Sequence, residues 1–539
     1  MSKSNWKRRQ ILALSAGLLA GCSRTKTPYF GSLQIPDRNI LRVGNGSEPR
    51  SLDPHKVGGA LGELNLCMAL FEGLTEFNPR TLAPEPALAL RWIPDADARA
   101  WTFTLRPGAK WSDGTPCTAQ DFVNSWQRAL DPATACPYVN LLYYMRNGRE
   151  INEGTIPVDQ LGAIAIDPLT LRVEMAEPTA YFPVLTAFFI FRPVPTWTIK
   201  RDGDPWSQPE RMVTNGAFVL AEHRPYDVVT LERSETYWNR SQVKLEAVHL
   251  YPIVEGAQNV NLYQTSELDV TIGGVLPRPL LRELRQYQDC YSDGRYITYY
   301  VSFNCKHPIF KNPDIRRQLS GAVDRQSLSQ KFLRGDTVAA KGFIPPGIPS
   351  YQSPPWPMGT ASLENLPKKL TINTTNREPD RTVVQVLQRT WKEKFGIEVQ
   401  IESEESQTFL ARLRRQDYEV AVARWGGDYL DPTTFLNLYD GLNPQNYPAW
   451  EDANYRQLLK QAAQVIQPAQ RFALLSVVEA RLLDQLPIAP LFHTGLEYLQ
   501  KPWVKGWEGN LQDLHPLKYV SIDRQWQAHR SISEPSKTG

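Results

Sequence analysis

Recognisable catalytic and metal-binding motifs are missing from this sequence of 539 residues. It has no G-x-S-x-G elbow, no H-E-x-x-H pair, no Walker loop and no EF-hand loop. Only seven histidines occur; His55 is expected to lie in a capped turn and His493 in the core or at the rim of a pocket. The sequence therefore predicts a protein that is not an enzyme and that needs no cofactor and no metal ion.

A basic stripe is also missing. The chain has 60 Lys and Arg residues against 57 Asp and Glu residues, and four of the bases but none of the acids precede Cys22. The rest of the chain is thus nearly neutral, whereas nucleic-acid binding depends on concentrated positive charge. A nucleic-acid partner is not expected.

Cysteine is scarce. Beyond Cys22 the sequence has Cys67, Cys117, Cys136, Cys290 and Cys305, and none of them has the spacing of a zinc site. In an exported protein one disulfide is possible, with Cys290–Cys305 as the first candidate. Buried free thiols, with no bridge, are the favoured interpretation.

Long apolar runs are confined to the start of the chain. Ile11–Ala20 follows four basic residues and is too short to cross a bilayer, which takes about 20 residues. Residues 1–21 are therefore interpreted as a secretory signal. Leu19-Ala20-Gly21-Cys22 resembles the lipobox of bacterial lipoproteins, which implies lipid on Cys22; an ordinary signal peptide with an incidental cysteine is the alternative. A later run, Phe188–Phe191, is predicted to be a buried strand.

Strand-like and helix-like stretches alternate along the chain, which predicts an α/β protein with more than one sheet. Predicted strands include 41–44, 101–105 and 418–424, and 61–71 has the spacing of a helix. Thr118 and Asp121 form a predicted capping box before a helix at 122–130. Residues 370–401 are predicted to form a β-α-β unit.

The predicted strand at 418–424 leads into Arg-Trp-Gly-Gly-Asp, residues 424–428. The two glycines allow the backbone to bend or to approach another group closely. Asp428 then places a carboxylate among aromatic neighbours. A ligand-binding carboxylate and a simple turn cap are the two interpretations that the residues leave open.

Several stretches together resemble family 5 of the extracellular solute-binding proteins, which serve ABC importers. The most specific is Trp-Ser-Asp-Gly-Thr-Pro-Cys-Thr-Ala-Gln-Asp-Phe-Val-Asn-Ser-Trp-Gln-Arg at 111–128. The others follow in the order of the family, at 46–55, 70–74, 213–218, 250–253, 312–317 and 424–435. The resemblance covers nearly all of the chain after the leader and is strongest to the oligopeptide-binding members.

This resemblance implies the two-lobed Venus-flytrap architecture of class II periplasmic binding proteins, with an extra inserted domain. The implied parts are a lipid-anchored linker at 22–40; lobe I at 41–70, 199–296 and 496–526; inserted domain II at 71–198; lobe III at 297–495; and a disordered tail at 527–539. A ligand would be enclosed between lobes I and III by closure about a hinge.

The resemblance also implies a set of peptide-binding residues. Asp428 is expected to pair with the α-ammonium group of the ligand, and the backbone near it is expected to bind the peptide as an added strand. The expected residues are Asp428, Trp425, Gly426, Gly427, Gly58, Gly59, Ala60, Ser302 and Tyr138.

This chain departs from the family pattern at the other end of the ligand. Leu413 and Val422 stand where arginines help to receive a carboxylate, and Ser302 stands where an acid is expected. A family disulfide cannot form between Gly426 and Ile297. Arg414, Arg415 or Arg424 could replace the missing arginines only if the backbone directs them inward.

The predicted function is therefore that of a lipid-anchored, monomeric binding protein that captures short peptides and delivers them to the transmembrane subunits of an ABC permease. Its location would be the periplasm or cell surface, anchored to the membrane as a lipoprotein. Alternatives are the same class of protein with another cargo, such as murein peptide, haem or a nickel chelate, and an exported sensor not coupled to import.

Overall fold

The computed structural model describes residues 29–274, 276–333, 337–356, 366–441 and 443–527. Its strands are β1 (Ile40–Gly44), β2 (Thr75–Phe77), β3 (Pro84–Pro86), β4 (Ala89–Pro94), β5 (Ala100–Leu105), β6 (Ala163–Asp167), β7 (Thr170–Glu174), β8 (Phe218–Arg224), β9 (Val228–Arg233), β10 (Ala247–Tyr251), β11 (Val270–Thr271), β12 (Cys290–Phe303), β13 (Thr337–Ala339), β14 (Lys369–Thr375), β15 (Glu398–Glu404), β16 (Val420–Gly426), β17 (Ile488–Leu499), β18 (Val504–Lys505) and β19 (Ser521–Ile522). The predicted signal peptide, Cys22 and tail residues 528–539 lie outside the described residues.

Helices alternate with these strands, as an α/β fold requires. They are α1 (Leu61–Leu70), α2 (Ala119–Leu130), α3 (Gly148–Asn152), α4 (Phe182–Leu185), α5 (Thr196–Asp202), α6 (Gly256–Gln264), α7 (Arg278–Leu284), α8 (Pro313–Gly321), α9 (Arg325–Ser327), α10 (Asp380–Phe395), α11 (Ser406–Arg415), α12 (Thr433–Leu436), α13 (Ala453–Gln464) and α14 (Pro468–Gln485). None of the described helices is long and apolar enough to cross a bilayer.

Three larger sheets organise the molecule. A five-stranded sheet in the order β11-β1-β10-β9-β8 lies in the residues predicted for lobe I, and a six-stranded sheet in the order β13-β17-β12-β16-β14-β15 lies mainly in those predicted for lobe III. The inserted domain contains a four-stranded sheet in the order β4-β5-β7-β6. Within lobe III, β14, α10 and β15 form the predicted β-α-β unit, because β14 and β15 pair in parallel.

The inserted domain is fastened to lobe I by buried ion pairs. Lys518 of lobe I contacts Glu72 at 2.7 Å and Glu76 at 3.3 Å. Arg128 on α2 contacts Asp53 of lobe I at 2.6 Å. Breaking one member of such a pair would leave an uncompensated buried charge, which favours a fixed arrangement of these two parts.

Two long strands, β12 and β17, run from lobe I into lobe III. At their lobe I end, Leu499 donates its N–H to the Thr271 hydroxyl at 3.0 Å. Further along, Gly294 lies opposite Gly495, and the register shifts between Gly294 and Thr298. A glycine pair beside an irregularity is the least constrained part of this connection and is the place where the predicted hinge would lie.

Most local predictions are confirmed, and two are wrong. The capping box precedes α2, with the Thr118 N–H donating to Asp121 at 2.7 Å. The predicted strand at Phe188–Phe191 is instead a 3-10 turn at Phe189–Phe191. These aromatic side chains are buried on every side, and periodicity alone does not distinguish a buried turn from a buried strand.

The candidate disulfide between Cys290 and Cys305 is wrong. Cys290 begins β12 and Cys305 lies just beyond its other end, so an extended strand of 14 residues separates them. Such a strand spans on the order of 40 Å, whereas a disulfide joins Cα atoms about 6 Å apart. The thiols of Cys67, Cys117, Cys136 and Cys305 are free, as the alternative prediction proposed.

Candidate functional site

The end of strand β16 has an open edge. One edge of β16 pairs with β12 from Val420 to Gly426. On the other edge, within the described residues, β14 pairs only with Val420 and Ala421. On that second edge, no described strand pairs with the backbone from Val422 to Gly426. An extended chain could add here as a further strand.

The backbone beyond β16 is held tightly where it leaves the sheet. The Gly427 N–H donates to the Tyr296 carbonyl at 2.8 Å. A Cβ atom at Gly427 would lie 2.2 Å from the Tyr296 ring, so only glycine fits there. A Cβ atom at Gly426 would lie 3.4 Å from Ile297, which is an ordinary contact. Gly427 thus allows close packing, while Gly426 is not sterically required.

Trp425 and Asp428 share one partner, Thr434 in the short helix α12. The Trp425 indole N–H donates to the Thr434 carbonyl at 2.9 Å. The Asp428 N–H donates to the Thr434 hydroxyl at 3.0 Å. These two bonds fix the backbone of residue 428 without using its carboxylate.

The Asp428 carboxylate has no hydrogen-bond or ion-pair partner among the described residues. It is half-buried, and burial raises the pKa of this carboxyl from 3.8 to about 6. Burial without a compensating cation is the arrangement that raises the pKa of an acid. Strongly shifted carboxylates in clefts are candidates for ligand contacts.

Tyr138 contacts the loop at Gly58–Ala60 and lies close enough to Asp428 to be affected by its charge. Burial, followed by the charge of Asp428, raises the pKa of Tyr138 to about 12. The Tyr138 hydroxyl also lies against Gly59, where an added Cβ would be 2.1 Å from it. The structure thus brings together residues of lobe I, the inserted domain and lobe III that the sequence had placed in one site.

Glu63 holds this loop from the first turn of α1. Its carboxylate accepts the N–H groups of Gly58 at 2.9 Å and Ala60 at 3.3 Å. These two N–H groups are therefore already used. Gly58 and Ala60 are exposed and Gly59 is half-buried, which leaves the carbonyl groups of Gly58 and Gly59 as the more available backbone groups.

Ser302 is fully buried on β12. Its hydroxyl is 2.8 Å from the Tyr418 hydroxyl, and either group can donate. In this conformation Ser302 is thus part of the packing behind the sheet and offers no exposed surface to a ligand.

Comparisons with known proteins show the family to which the chain belongs. Residues 83–447 match the family model described as bacterial extracellular solute-binding proteins, family 5 Middle. The chain belongs to this family. It is 34% identical to the periplasmic oligopeptide-binding protein OppA of Escherichia coli, over 94% of this chain and 97% of that protein.

Solved structures of family 5 proteins have the same two-lobed architecture with an inserted domain. An unliganded, open form of the murein tripeptide-binding protein MppA superposes with a TM-score of 0.80 at 30% identity, covering 90% of this chain and 98% of that one. OppA of Haemophilus influenzae in complex with the peptide RPPGFSPFR superposes with a TM-score of 0.72 at 30% identity, covering 91% of this chain and 100% of that one.

The positions that depart from the family 5 pattern are mostly core positions. Leu413 and Val422 are buried, each 1% exposed, and neither side chain carries a charge that could receive a carboxylate. Arg424 donates to the Tyr299 hydroxyl at 2.8 Å. Because Arg424 and Trp425 are consecutive strand residues, their side chains point to opposite faces of the sheet. Arg414 and Arg415 are exposed on α11.

Sequence reasoning missed Gln512. Its amide nitrogen donates to the carbonyls of Gly427 at 3.1 Å and Asp428 at 3.0 Å. Gln512 belongs to lobe I, so this amide connects lobe I to the backbone that carries the candidate carboxylate. It lies 84 residues from Asp428 along the chain, and no local sequence pattern marks such a contact.

Sequence reasoning also missed a tyrosine cluster next to Asp428. Tyr429 stacks on Tyr181 of the inserted domain, with ring centroids 5.6 Å apart and planes 8° apart. Its hydroxyl lies 3.2 Å from that of Tyr144. Arg471 lies 5.4 Å from the Tyr181 ring and pairs with the buried Asp431. The aromatic residues after Asp428 were visible in the sequence, but their partners on the inserted domain were not.

Proposed function

We propose that this protein captures short peptides between lobe I and lobe III and delivers them to an ABC importer. The observation that carries the proposal is the open edge of β16, which ends at a half-buried carboxylate without a partner. A peptide offers a backbone that can add to a strand edge and a charged amino end that can pair with an acid.

The proposed binding mode follows from the direction of the backbone groups. Successive strand residues direct their N–H and C=O groups to opposite sides. Since the Gly427 N–H points toward β12, the backbone groups of Arg424 and Gly426 point toward the open edge. The peptide would pair there with its amino end at Asp428. Tyr138 and the Gly58–Ala60 loop would cover it from the other side of the gap.

The site would be selective for the backbone and the amino end. No arginine stands at residues 413 and 422 to receive the ligand carboxylate, so longer peptides with a distant carboxyl end are compatible with the site. The observed resemblance to an MppA structure makes a murein-derived peptide the second candidate cargo. Haem, a nickel chelate and a role as an exported sensor remain alternatives with less support from this geometry.

Anchoring by lipid on Cys22, an exported location in the periplasm or at the cell surface, and a monomeric state complete the proposal. The leader sequence and the family supply its support. Catalysis forms no part of it. Among the described residues no cluster of His, Cys, Asp and Glu could hold a metal ion.

The test is the mass spectrum of the ligands released by denaturing the protein purified from cells. A mixture of peptides with free amino ends is the expected result. One recurrent mass of a murein tripeptide would favour the second cargo, and a chelate or haem mass would refute peptide capture. Loss of transported peptide in cells that lack the gene would establish delivery, whereas unchanged uptake would favour the sensor.

A further inference from the structure

The open edge of β16 is bounded at both of its ends. At one end lies Asp428, whose half-buried carboxylate has no hydrogen-bond or ion-pair partner among the described residues. At the other end β14 closes the edge, because it pairs there with Val420 and Ala421. Within the described residues, the unpaired length between these two ends is Val422–Gly426. A strand that adds to this edge can therefore use only a short stretch of backbone.

Arg424 stands in the middle of this unpaired length. Its side chain is exposed, and its guanidinium group donates to the Tyr299 hydroxyl at 2.8 Å. A guanidinium group presents several N–H donors in a planar fork, so the bond to Tyr299 leaves others for a ligand. Within the described residues Arg424 makes no ion pair. The acid whose charge acts on it, Asp380, is bound instead by the Thr375 hydroxyl.

Tyr299 gives the guanidinium group a defined position. It is the direct cross-strand neighbour of Arg424 on β12, so the two side chains rise from the same face of the sheet. The Tyr299 side chain is buried and stacks on Phe492, with ring centroids 4.7 Å apart and planes 15° apart. A hydroxyl on a fixed ring restricts the conformations of the arginine that it binds. Less conformational freedom is then lost when an anion binds to Arg424.

Asp428 and Arg424 thus place opposite charges at two points along one edge. They are four residues apart in the sequence, and an extended chain rises about 3.3 Å per residue, so they are at most about 13 Å apart along the strand. An extended peptide of four residues spans about 13 Å between its two charged ends. The long side chain of arginine allows the peptide to be one residue shorter or longer.

We propose that Arg424 receives the terminal carboxylate of the bound peptide, so that the site selects peptides of about three to five residues. The inference rests on the proposed capture of peptides at the edge of β16 and adds a contact for the carboxyl end. A guanidinium group and a carboxylate can form two parallel charge-assisted hydrogen bonds. Arg424 occupies neither of the positions at which the family pattern places its arginines. A longer peptide would meet β14 at Ala421, so it could bind only by turning out of the sheet, without this contact.

The experiment is titration calorimetry with alanine peptides of two to eight residues, each with a free amino end and with either a free or an amidated carboxyl end. The free acids should bind most tightly at three to five residues. Amidation should weaken these peptides by about tenfold or more, which is the effect of losing one charge-assisted hydrogen bond. It should leave the octapeptide nearly unchanged. Because every peptide keeps its ammonium group, the pairing with Asp428 is the same throughout.

Two variants complete the test. Arg424→Gln should remove the difference between acid and amide, whereas Arg415→Gln should keep it, because Arg415 is an exposed arginine of α11 in the same lobe. The wild-type protein alone reports the effect of amidation, so the result does not depend on the folding of Arg424→Gln.

The outcomes separate this inference from the proposed function. Equal affinities of the wild-type protein for acid and amide, or affinities that rise steadily up to eight residues, overturn the role of Arg424 and leave peptide capture in place. An acid–amide difference that persists in folded Arg424→Gln assigns the carboxylate to another group and overturns the role as well. Absence of binding for every peptide overturns the proposed function and this inference with it.

Discussion

Replacing Asp428 by Asn removes a charge and leaves the shape of the side chain nearly unchanged. A charge-assisted hydrogen bond contributes about 1.5–3 kcal/mol net, so a peptide with a free amino end should bind about 10- to 150-fold more weakly to the variant. The same peptide with an acetylated amino end carries no ammonium group. Its affinity should be low for the wild-type protein and should rise with the substitution, because Asn carries no charge that a blocked ligand leaves uncompensated.

The role of the Asp428 carboxylate also predicts how the peptide affinity depends on pH. With the pKa of Asp428 at about 6, the carboxyl is about 90% ionised at pH 7 and about 10% ionised at pH 5. An α-amino group has a pKa near 7.7–8.0 and stays mostly protonated at both values. The affinity of the wild-type protein should therefore fall about tenfold from pH 7 to pH 5, and that of Asp428→Asn should not.

The stability of the ligand-free protein should rise as the pH falls, whereas the peptide affinity decreases. Because the pKa of Asp428 is higher in the folded protein than its ordinary value of 3.8, the folded state holds a proton that the unfolded chain has released. The wild-type protein without ligand thus gains stability as pH falls from about 6 to about 4. At neutral pH the buried charge costs about 3 kcal/mol, so Asp428→Asn should melt at a higher temperature than the wild type.

The assay is titration calorimetry with the free and acetylated peptide at pH 7 and pH 5, together with thermal melts of the ligand-free protein. Asp417→Asn is the control, because Asp417 is an exposed carboxylate on the same lobe. Equal affinities of Asp428→Asn and wild type for the free peptide would refute the role of the carboxylate. A lower melting temperature of Asp428→Asn would show that the charge has a partner.

Four further substitutions test the site and the predicted hinge. Gly427→Ala should lower the melting temperature, because its Cβ would lie 2.2 Å from the Tyr296 ring, whereas Gly426→Ala should not. Equal melting temperatures of the two variants would contradict this prediction. Gln512→Ala should weaken the binding of free and acetylated peptides alike, by about fivefold for a loss of about 1 kcal/mol. A loss of affinity for only one of the two peptides, measured by calorimetry, would argue against this role of Gln512. Gly294→Val should reduce the compaction on peptide binding that X-ray scattering detects, because a β-branched residue stiffens the hinge; full compaction would exclude this hinge.

The sequence predicted those parts of the fold whose signals are local. The capping box before α2 needs only Thr118 and Asp121, and the β-α-β unit needs only periodicity and short loops. The turn at Phe189–Phe191 was mistaken for a strand because its burial comes from distant aromatic residues. The separation of Cys290 and Cys305 was misjudged because proximity in sequence does not imply proximity across an extended strand.

The residues of the candidate site also fall into those that the sequence indicates and those that it does not. Asp428 and the two glycines before it stand out in the sequence, and the resemblance to the family adds Tyr138 and the Gly58–Ala60 loop. Gln512 could not be predicted, because its amide reaches the site from a loop near the C-terminal end of the chain. The burial of Ser302 was equally hidden, since its partner Tyr418 lies across a strand pair.

The cost of burying the Asp428 charge has a consequence for selectivity. A lobe that packs around an unpaired carboxylate is disfavoured by about 3 kcal/mol, and only a cation at that position offsets the cost. A ligand without a free amino end would bind the backbone edge of β16 but leave the penalty in place. A ligand shifts the equilibrium between the open and closed states only by the difference between its affinities for the two states. The protein would therefore discriminate against blocked ligands through a cost already present in its own structure, as well as through the attraction to an ammonium group.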